Sequence, residues 1–182
     1  MGKTDLSKYN NSWYKPGSKL KIILWYILSR VFIDTSIPFP YSLKRSVLRI
    51  FGAKVGKQVV FKQRVVIKYP WFLTVGDETW IGENVWIDNL TDVTIGKNCC
   101  LSQGSMLLTG NHDYKKSTFD LILKPIVLED GSWIGAKATV CPGVTVHSHA
   151  VLSVGSVATT DLKGSIIYQG NPAINKTQRL IN

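Results

Sequence analysis

From Val75 to Met106 the chain reads VGDETW (75–80), IGENVW (81–86), IDNL (87–90), then IGKNCC (95–100) and LSQGSM (101–106), with an aliphatic residue heading each group. An alternation of two marks an ordinary strand and a period of 3.6 marks a helix; a beat of six is neither. If each hexad is one short strand and one corner, three hexads close a triangular coil. Stacked coils then place every head residue in one continuous interior.

The beat continues on both sides of that stretch. The heads are Val55, Phe61 and Ile67, then Val75, Ile81 and Ile87, then Ile95, Leu101 and Leu107, and after a break Leu128, Ile134 and Val140, then Val146, Leu152 and Ala158. The first three triplets start twenty residues apart, and the fifteen heads are all apolar. They predict an all-β solenoid of about five coils. Glycine follows the head at Gly56, Gly76, Gly82, Gly96 and Gly135, where a side chain would crowd a tight corner. Two places before a head stand Cys99, Ser105, Ser132, Ala138, Ala150 and Ser156. Small residues there fit an interior filled mainly by the heads.

From Lys54 to Ala173 the pattern resembles the hexapeptide-repeat acyltransferases, whose repeats form a left-handed parallel β-helix. The handedness comes from the resemblance, because right-handed crossovers are the general rule for parallel strands. DLSKYNNSWY (5–14), LLTGNHDY (107–114), STFDLILKPIVLEDGSWIG (117–135) and QGNPA (169–173) are similar to the colanic acid biosynthesis acetyltransferase group, nearly end to end. The resemblance implies an O-acetyltransferase that takes acetyl-CoA as donor and a sugar hydroxyl of an exopolysaccharide or its lipid-linked precursor as acceptor. It also implies a homotrimer. No CxxC or Cys/His spacing suggests a metal, and none is expected. Two alternatives stay open: an acetyltransferase of another small acceptor, such as a xenobiotic or a free sugar, and a non-enzymatic scaffold in polysaccharide assembly.

The chain divides into a helical, basic segment (1–53), the β-helix (54–163) with an inserted loop (113–127), and a tail (164–182). Its formal net charge of +10 is uneven. Residues 1–57 carry eleven Lys or Arg against Asp5 and Asp34, whereas residues 58–182 carry eleven against ten acids. The coils are thus nearly neutral. No nucleic-acid motif accompanies the charge, and aromatic and basic residues do not interleave, so nucleic acid is not an expected partner. The three cysteines include the adjacent Cys99 and Cys100, which point to opposite faces of a strand and cannot easily pair. Reduced thiols and the lack of an evident cleavable signal predict a cytoplasmic protein, with peripheral contact on the inner face of the membrane as an added option.

That option rests on LKIILWYILSRVFI (20–33), an apolar run too short to span a bilayer, which needs about 20 apolar residues. Two roles fit it. It can cap the first coil, as solenoid ends require. It can also lie at a headgroup interface beside Lys15, Lys19, Lys44, Arg45 and Arg49. After Pro38 and Pro40, SLKRSVLRIFGAKVG predicts a short amphipathic helix with Leu43, Val47 and Ile50 on one face.

Ordinary joins between coils add two residues, but Asp113 to Val127 adds fifteen, and long loops in regular scaffolds are usually functional. His112 stands at the loop's base. A sugar hydroxyl attacks a thioester well only if a base takes its proton, and imidazole, with a reference pKa of ~6.5, suits that task near neutral pH. In the resembled family a histidine here is the catalytic base. One coil back, Asp88 and Asn89 are acceptor-binding candidates, with Asp5 a further one. Trp133, Ala136, Val154 and Thr159 match positions that contact CoA in the family. Thr159-Thr160 stands where many relatives have Thr-Lys, which leaves Lys137, Lys163 or Lys176 for the CoA phosphates. The γ-class carbonic anhydrases share the β-helix and bind metal through three histidines, but only His112 stands near the expected place. His147 and His149 make too few ligands for a metal site and are expected at the surface. Trp80, Trp86 and Trp133 end their hexads and are expected to point outward, toward another subunit.

Overall fold

The computed structural model describes residues 2–182 and is a parallel β-solenoid fronted by two helices, α1 (Lys19–Phe32) and α2 (Tyr41–Ile50). Each hexad contributes one strand, and the strands stack into three walls. The first wall holds Lys54–Val55, Leu73–Val75, Val93–Ile95, Ile126–Leu128 and Thr145–Val146. In the second, Val60–Phe61, Trp80–Ile81, Cys100–Leu101, Trp133–Ile134 and Val151–Leu152 are followed by Ile166–Gly170 and the antiparallel Ala173–Gln178. The third holds Val66–Ile67, Trp86–Asp88, Met106–Leu108, Thr139–Val140 and Val157–Ala158. The register is the one the hexads predict: Val55 lies beside Val75, Ile81 beside Leu101, and Leu107 beside Val140.

All fifteen predicted heads are buried, and so are the six small residues that precede a head by two. The left-handed backbone conformation recurs three places after the head, at Gln58 (φ 53°), Glu78 (φ 58°) and Asn98 (φ 54°), where it turns the chain into the next wall. Glycine after a head answers a close approach: a Cβ on Gly76 would lie 2.6 Å from the backbone of Gly96 one coil on. The coils also run further than the sequence beat. Leu162 bridges to Val146, and Ile166–Gly170 pairs with Val151–Leu152, starting a sixth turn that the hairpin to Gln178 closes.

The first coil has no earlier coil to bond to, so its outward carbonyls need other donors. Arg49 donates to the carbonyls of Val55 and Gly56, Arg45 to Val59, Lys44 to Lys62, and the Trp25 indole N–H to Ile67. This corrects the expected orientation of α2. Lys44 and Leu48 face the coil, while Leu43 and Ile50 point outward, because the polar face carries the donors the open edge requires. Of the cations expected at a membrane surface, Lys44 is thus buried, while Arg45 and Arg49 spend hydrogen bonds on coil carbonyls and Arg49 stays exposed. Burial pushes the Lys44 ammonium pKa below its ordinary value.

Candidate active site

After Leu108 the chain leaves the third wall. Gly110–His112 pairs antiparallel with Leu121–Leu123, making a hairpin that projects from the solenoid. At its tip Phe119 adopts φ 52°, a left-handed conformation costly for a bulky residue and frequent where a site fixes its geometry. The Phe119 ring stacks on the His112 ring, centroids 4.3 Å apart and planes within 5°. Its carbonyl lies 2.9 Å from His112 Nδ1. A carbonyl only accepts, so Nδ1 carries the proton and Nε2 keeps its lone pair. Tyr9 approaches the same imidazole, its ring centroid 5.6 Å away at 59°.

Tyr9 arrives there because the N-terminal residues form a strap across this side. The Asp5 amide donates to the Ser117 carbonyl, the Tyr14 hydroxyl to the Leu90 carbonyl (2.6 Å), and the Trp71 indole to the Pro16 carbonyl (2.6 Å). Asp5 therefore sits beside the 113–120 loop. Its carboxylate accepts from the Ser7 hydroxyl and pairs with Lys8 at 3.3 Å; the Ser7 hydroxyl, then Lys8, hold its pKa below the usual value.

Asp88 and Asn89, neighbours in sequence, face opposite ways. Asn89 is fully buried, its Oδ1 accepting from the amides of Lys68 and Tyr69 and its Nδ2 donating to the Tyr69 carbonyl. It staples the corner that precedes the second coil. Asp88 lies on the outer side, 3.1 Å from Lys68 Nζ, and that same oxygen accepts no well-aligned hydrogen bond. It is the register partner of Leu108, four residues before His112.

The remaining candidates lie elsewhere on the coils. Trp133, Ala136 and Val154 line one cleft of about 500 Å³ on the second wall, with Ser102 and Ile167, and the Trp133 indole donates to Ser102 Oγ at 2.9 Å. Thr159 is not among them; it is exposed beyond the last strand of the third wall. Trp80, Trp86 and Trp133 all point outward and are at least two-fifths exposed. His147 and His149 lie at the surface as expected, and the His147 Nδ1 meets Glu129 Oε1 at 3.0 Å. The amide of Ser148, ahead of its hydroxyl and of His147, holds the Glu129 pKa down. Among the described residues no three His, Cys, Asp or Glu are grouped to hold a metal ion.

Tyr9 and Phe119 are the neighbours of His112 that the hexad spacing could not reveal. One lies about a hundred residues away and the other inside the insertion; the only signal was that DLSKYNNSWY and STFD are strings shared with a related group.

No family model matches the chain. It is 35% identical over 92% of its length, and 92% of the relative's, to the Escherichia coli K12 protein named colanic acid biosynthesis acetyltransferase WcaF. Among solved structures, a maltose O-acetyltransferase of Clostridium difficile superposes with a TM-score of 0.81 at 23% identity, covering 90% of each chain. A hexapeptide-repeat acetyltransferase of Vibrio cholerae complexed with acetyl-CoA gives 0.79 at 22% identity, covering 92% of this chain and 93% of that one. The chain belongs to the hexapeptide-repeat acetyltransferases.

Proposed function

We propose that the protein moves an acetyl group from acetyl-CoA to a sugar hydroxyl in the synthesis of an exopolysaccharide of the colanic acid kind. The observation that carries this is the His112 imidazole, held between Phe119 and Tyr9 with its proton fixed on Nδ1. Nε2 takes the hydroxyl proton as the sugar oxygen attacks the thioester carbon. The Phe119 carbonyl steadies the imidazolium so formed. Collapse of the tetrahedral intermediate releases the CoA sulfur, which leaves with a proton, and the acetyl ester remains on the sugar. Acetyl-CoA lies along the second-wall cleft of Trp133, Ala136 and Val154, and the acceptor sugar meets Asp88 and Asp5, while Asn89 holds the corner beneath. Because His112 and that cleft belong to different walls, the working unit is a homotrimer in which a neighbouring copy brings its cleft to this chain's histidine. Residues 1–53 cap the coils and meet the membrane's inner face, 54–163 carry His112 and most of the cleft, and the 164–182 tail adds Ile167 to the cleft and closes the last turn.

The test is His112→Ala, assayed with saturating acetyl-CoA. Removing a positioned base is expected to cost roughly 10²–10⁴-fold in rate. CoA binding and the trimer, followed by sedimentation, should stay as in the native protein, which alone shows an acidic limb in its pH–rate profile. Near-native turnover in the variant, or a monomeric native protein at micromolar concentration, overturns the proposal.

A further inference from the structure

The helix α1 is apolar on both faces. Toward the coil it presents Trp25 and Ser29, with Leu28 and Phe32 packed against the core beside them. Toward solvent stand Leu20, Ile23, Leu24, Ile27 and Val31, an i, i+3, i+4, i+7, i+11 stripe whose members are 44–68% exposed. Such a continuous apolar stripe usually faces a core, and a large exposed apolar patch marks something that binds there.

Charge selects the occupant. Lys15, Lys19 and Arg30 flank the stripe and are exposed. Even with Lys44, Arg45 and Arg49 turned to the coil, residues 1–57 keep eight cations against Asp5 and Asp34. Those two acids are themselves paired, with Lys8 and Arg30. A second copy docking stripe to stripe would bring like-charged rims together, since a two-fold contact matches a patch with itself. An anionic bilayer answers both features, with acyl chains for the stripe and headgroups for the lysines. Fourteen residues make a helix of about 21 Å, which lies in the interface and falls short of the ~30 Å hydrocarbon core. No helix among the described residues is long and apolar enough to cross a membrane.

The docking face adjoins the proposed acceptor site. Tyr26 and Arg30, on the flank of α1, line a cleft of about 190 Å³ with Lys68, Trp86 and Asp88 of the third wall. The next strand of that wall, ~4.8 Å on, is Met106–Leu108, which runs into the His112 hairpin. Each cation of the cleft is already matched by a carboxylate, Arg30 by Asp34 and Lys68 by Asp88. An added anion would meet two acids there. A neutral sugar fits better: its hydroxyls can meet the Asp88 side chain that lines the cleft, and its ring can lie on the exposed face of Trp86.

We propose that α1 is a membrane-docking helix: its outward stripe enters the headgroup region of an anionic bilayer, and the cleft on its flank receives the glycan of a lipid-linked acceptor held in that bilayer. The acceptor half rests on the sugar acetyltransferase reading; the docking half does not.

The test uses the full chain with vesicles of phosphatidylcholine alone or mixed equally with phosphatidylglycerol. Binding is expected only with phosphatidylglycerol, weakening as salt is raised, and Ile27→Glu is expected to reduce it roughly tenfold or more. Circular dichroism, sedimentation and CoA binding of that variant should match the native protein. In the same vesicles, loaded with lipid-linked glycans extracted from the source organism, transfer from radiolabelled acetyl-CoA should fall in the variant, while transfer to the same glycans released by mild acid should not. Native protein that ignores anionic vesicles at low salt, or Ile27→Glu that instead changes the oligomer, overturns the docking. Equal transfer by native protein and variant to the vesicle-borne glycans overturns the lipid-linked acceptor. If no glycan is acetylated but vesicle binding still depends on Ile27, the docking stands and the sugar acetyltransferase reading falls.

Discussion

In the coils, Ile81, Ile87 and Leu101 point inward and charged residues such as Glu78 and Lys97 hold the corners; in the helical segment Lys44 lies beneath the surface while Leu20, Ile27 and Ile50 stand above it. The contrast follows from what each part must satisfy. An inner coil finds its backbone partners in the coils above and below, so its interior needs only volume. The helices meet an open edge with unpaired carbonyls, so they turn donors inward beside Trp25 and Leu48 and leave their other aliphatics outside.

The largest effect on stability is expected inside the coils. Ile87 is fully buried between Ile67 and Leu107 in register. Ile87→Ala should lower unfolding free energy by about 2–5 kcal/mol, read by denaturant titration, because the stacked backbones on either side cannot close on the cavity. A loss under ~1 kcal/mol would mean the interior is loosely filled, and the contrast with the helices would weaken.

Sequence and structure agree best where one rule repeats. The fifteen heads, the three walls and their register are all legible, because a slip of one residue would turn every head to solvent. His112 was legible as the residue where the beat breaks. The surroundings of His112 were not: Tyr9 reaches it only through a strap pinned at Ser117, Leu90 and Trp71, contacts that no local pattern encodes. Asn89 and α2 show another limit. Asn89 turns inward because the Lys68–Tyr69 corner offers it two amides and a carbonyl. In α2 Val47 does pack against the core, but hydrogen-bond demand at the first coil turns Leu43 and Ile50 away from it.

Lys44 supplies an intermediate effect. Lys44→Met keeps the stem but leaves the Lys62 carbonyl without its donor, and the loss should be about 1–3 kcal/mol near neutral pH. The pH dependence has a definite sign. Burial lowers the folded-state pKa of Lys44, so between that lowered value and ~10.5 the unfolded chain binds a proton that the folded chain has released. The contribution of Lys44 to stability therefore rises with pH through that window, and the native-minus-variant difference should grow from neutral pH toward pH 10. A difference that shrinks would mean the ammonium is better stabilised in the fold than in water.

The smallest effect is expected at Ile27, in the middle of the α1 stripe. Its side chain is 58% exposed, so truncation opens no cavity. Alanine is also the better helix former, by a few tenths of a kcal/mol. Ile27→Ala should leave unfolding free energy within about 0.5 kcal/mol of the native protein, the usual range for surface sites. Ile87→Ala removes the same atoms from the same residue type, so the pair isolates burial from chemistry. A loss above ~1 kcal/mol at Ile27 that depends on protein concentration would mean that protein covers the stripe in solution, and α1 would then be a subunit contact. A neutral result shows that the fold does not need the centre of this exposed stripe, which is the condition for a surface kept for a partner outside the protein.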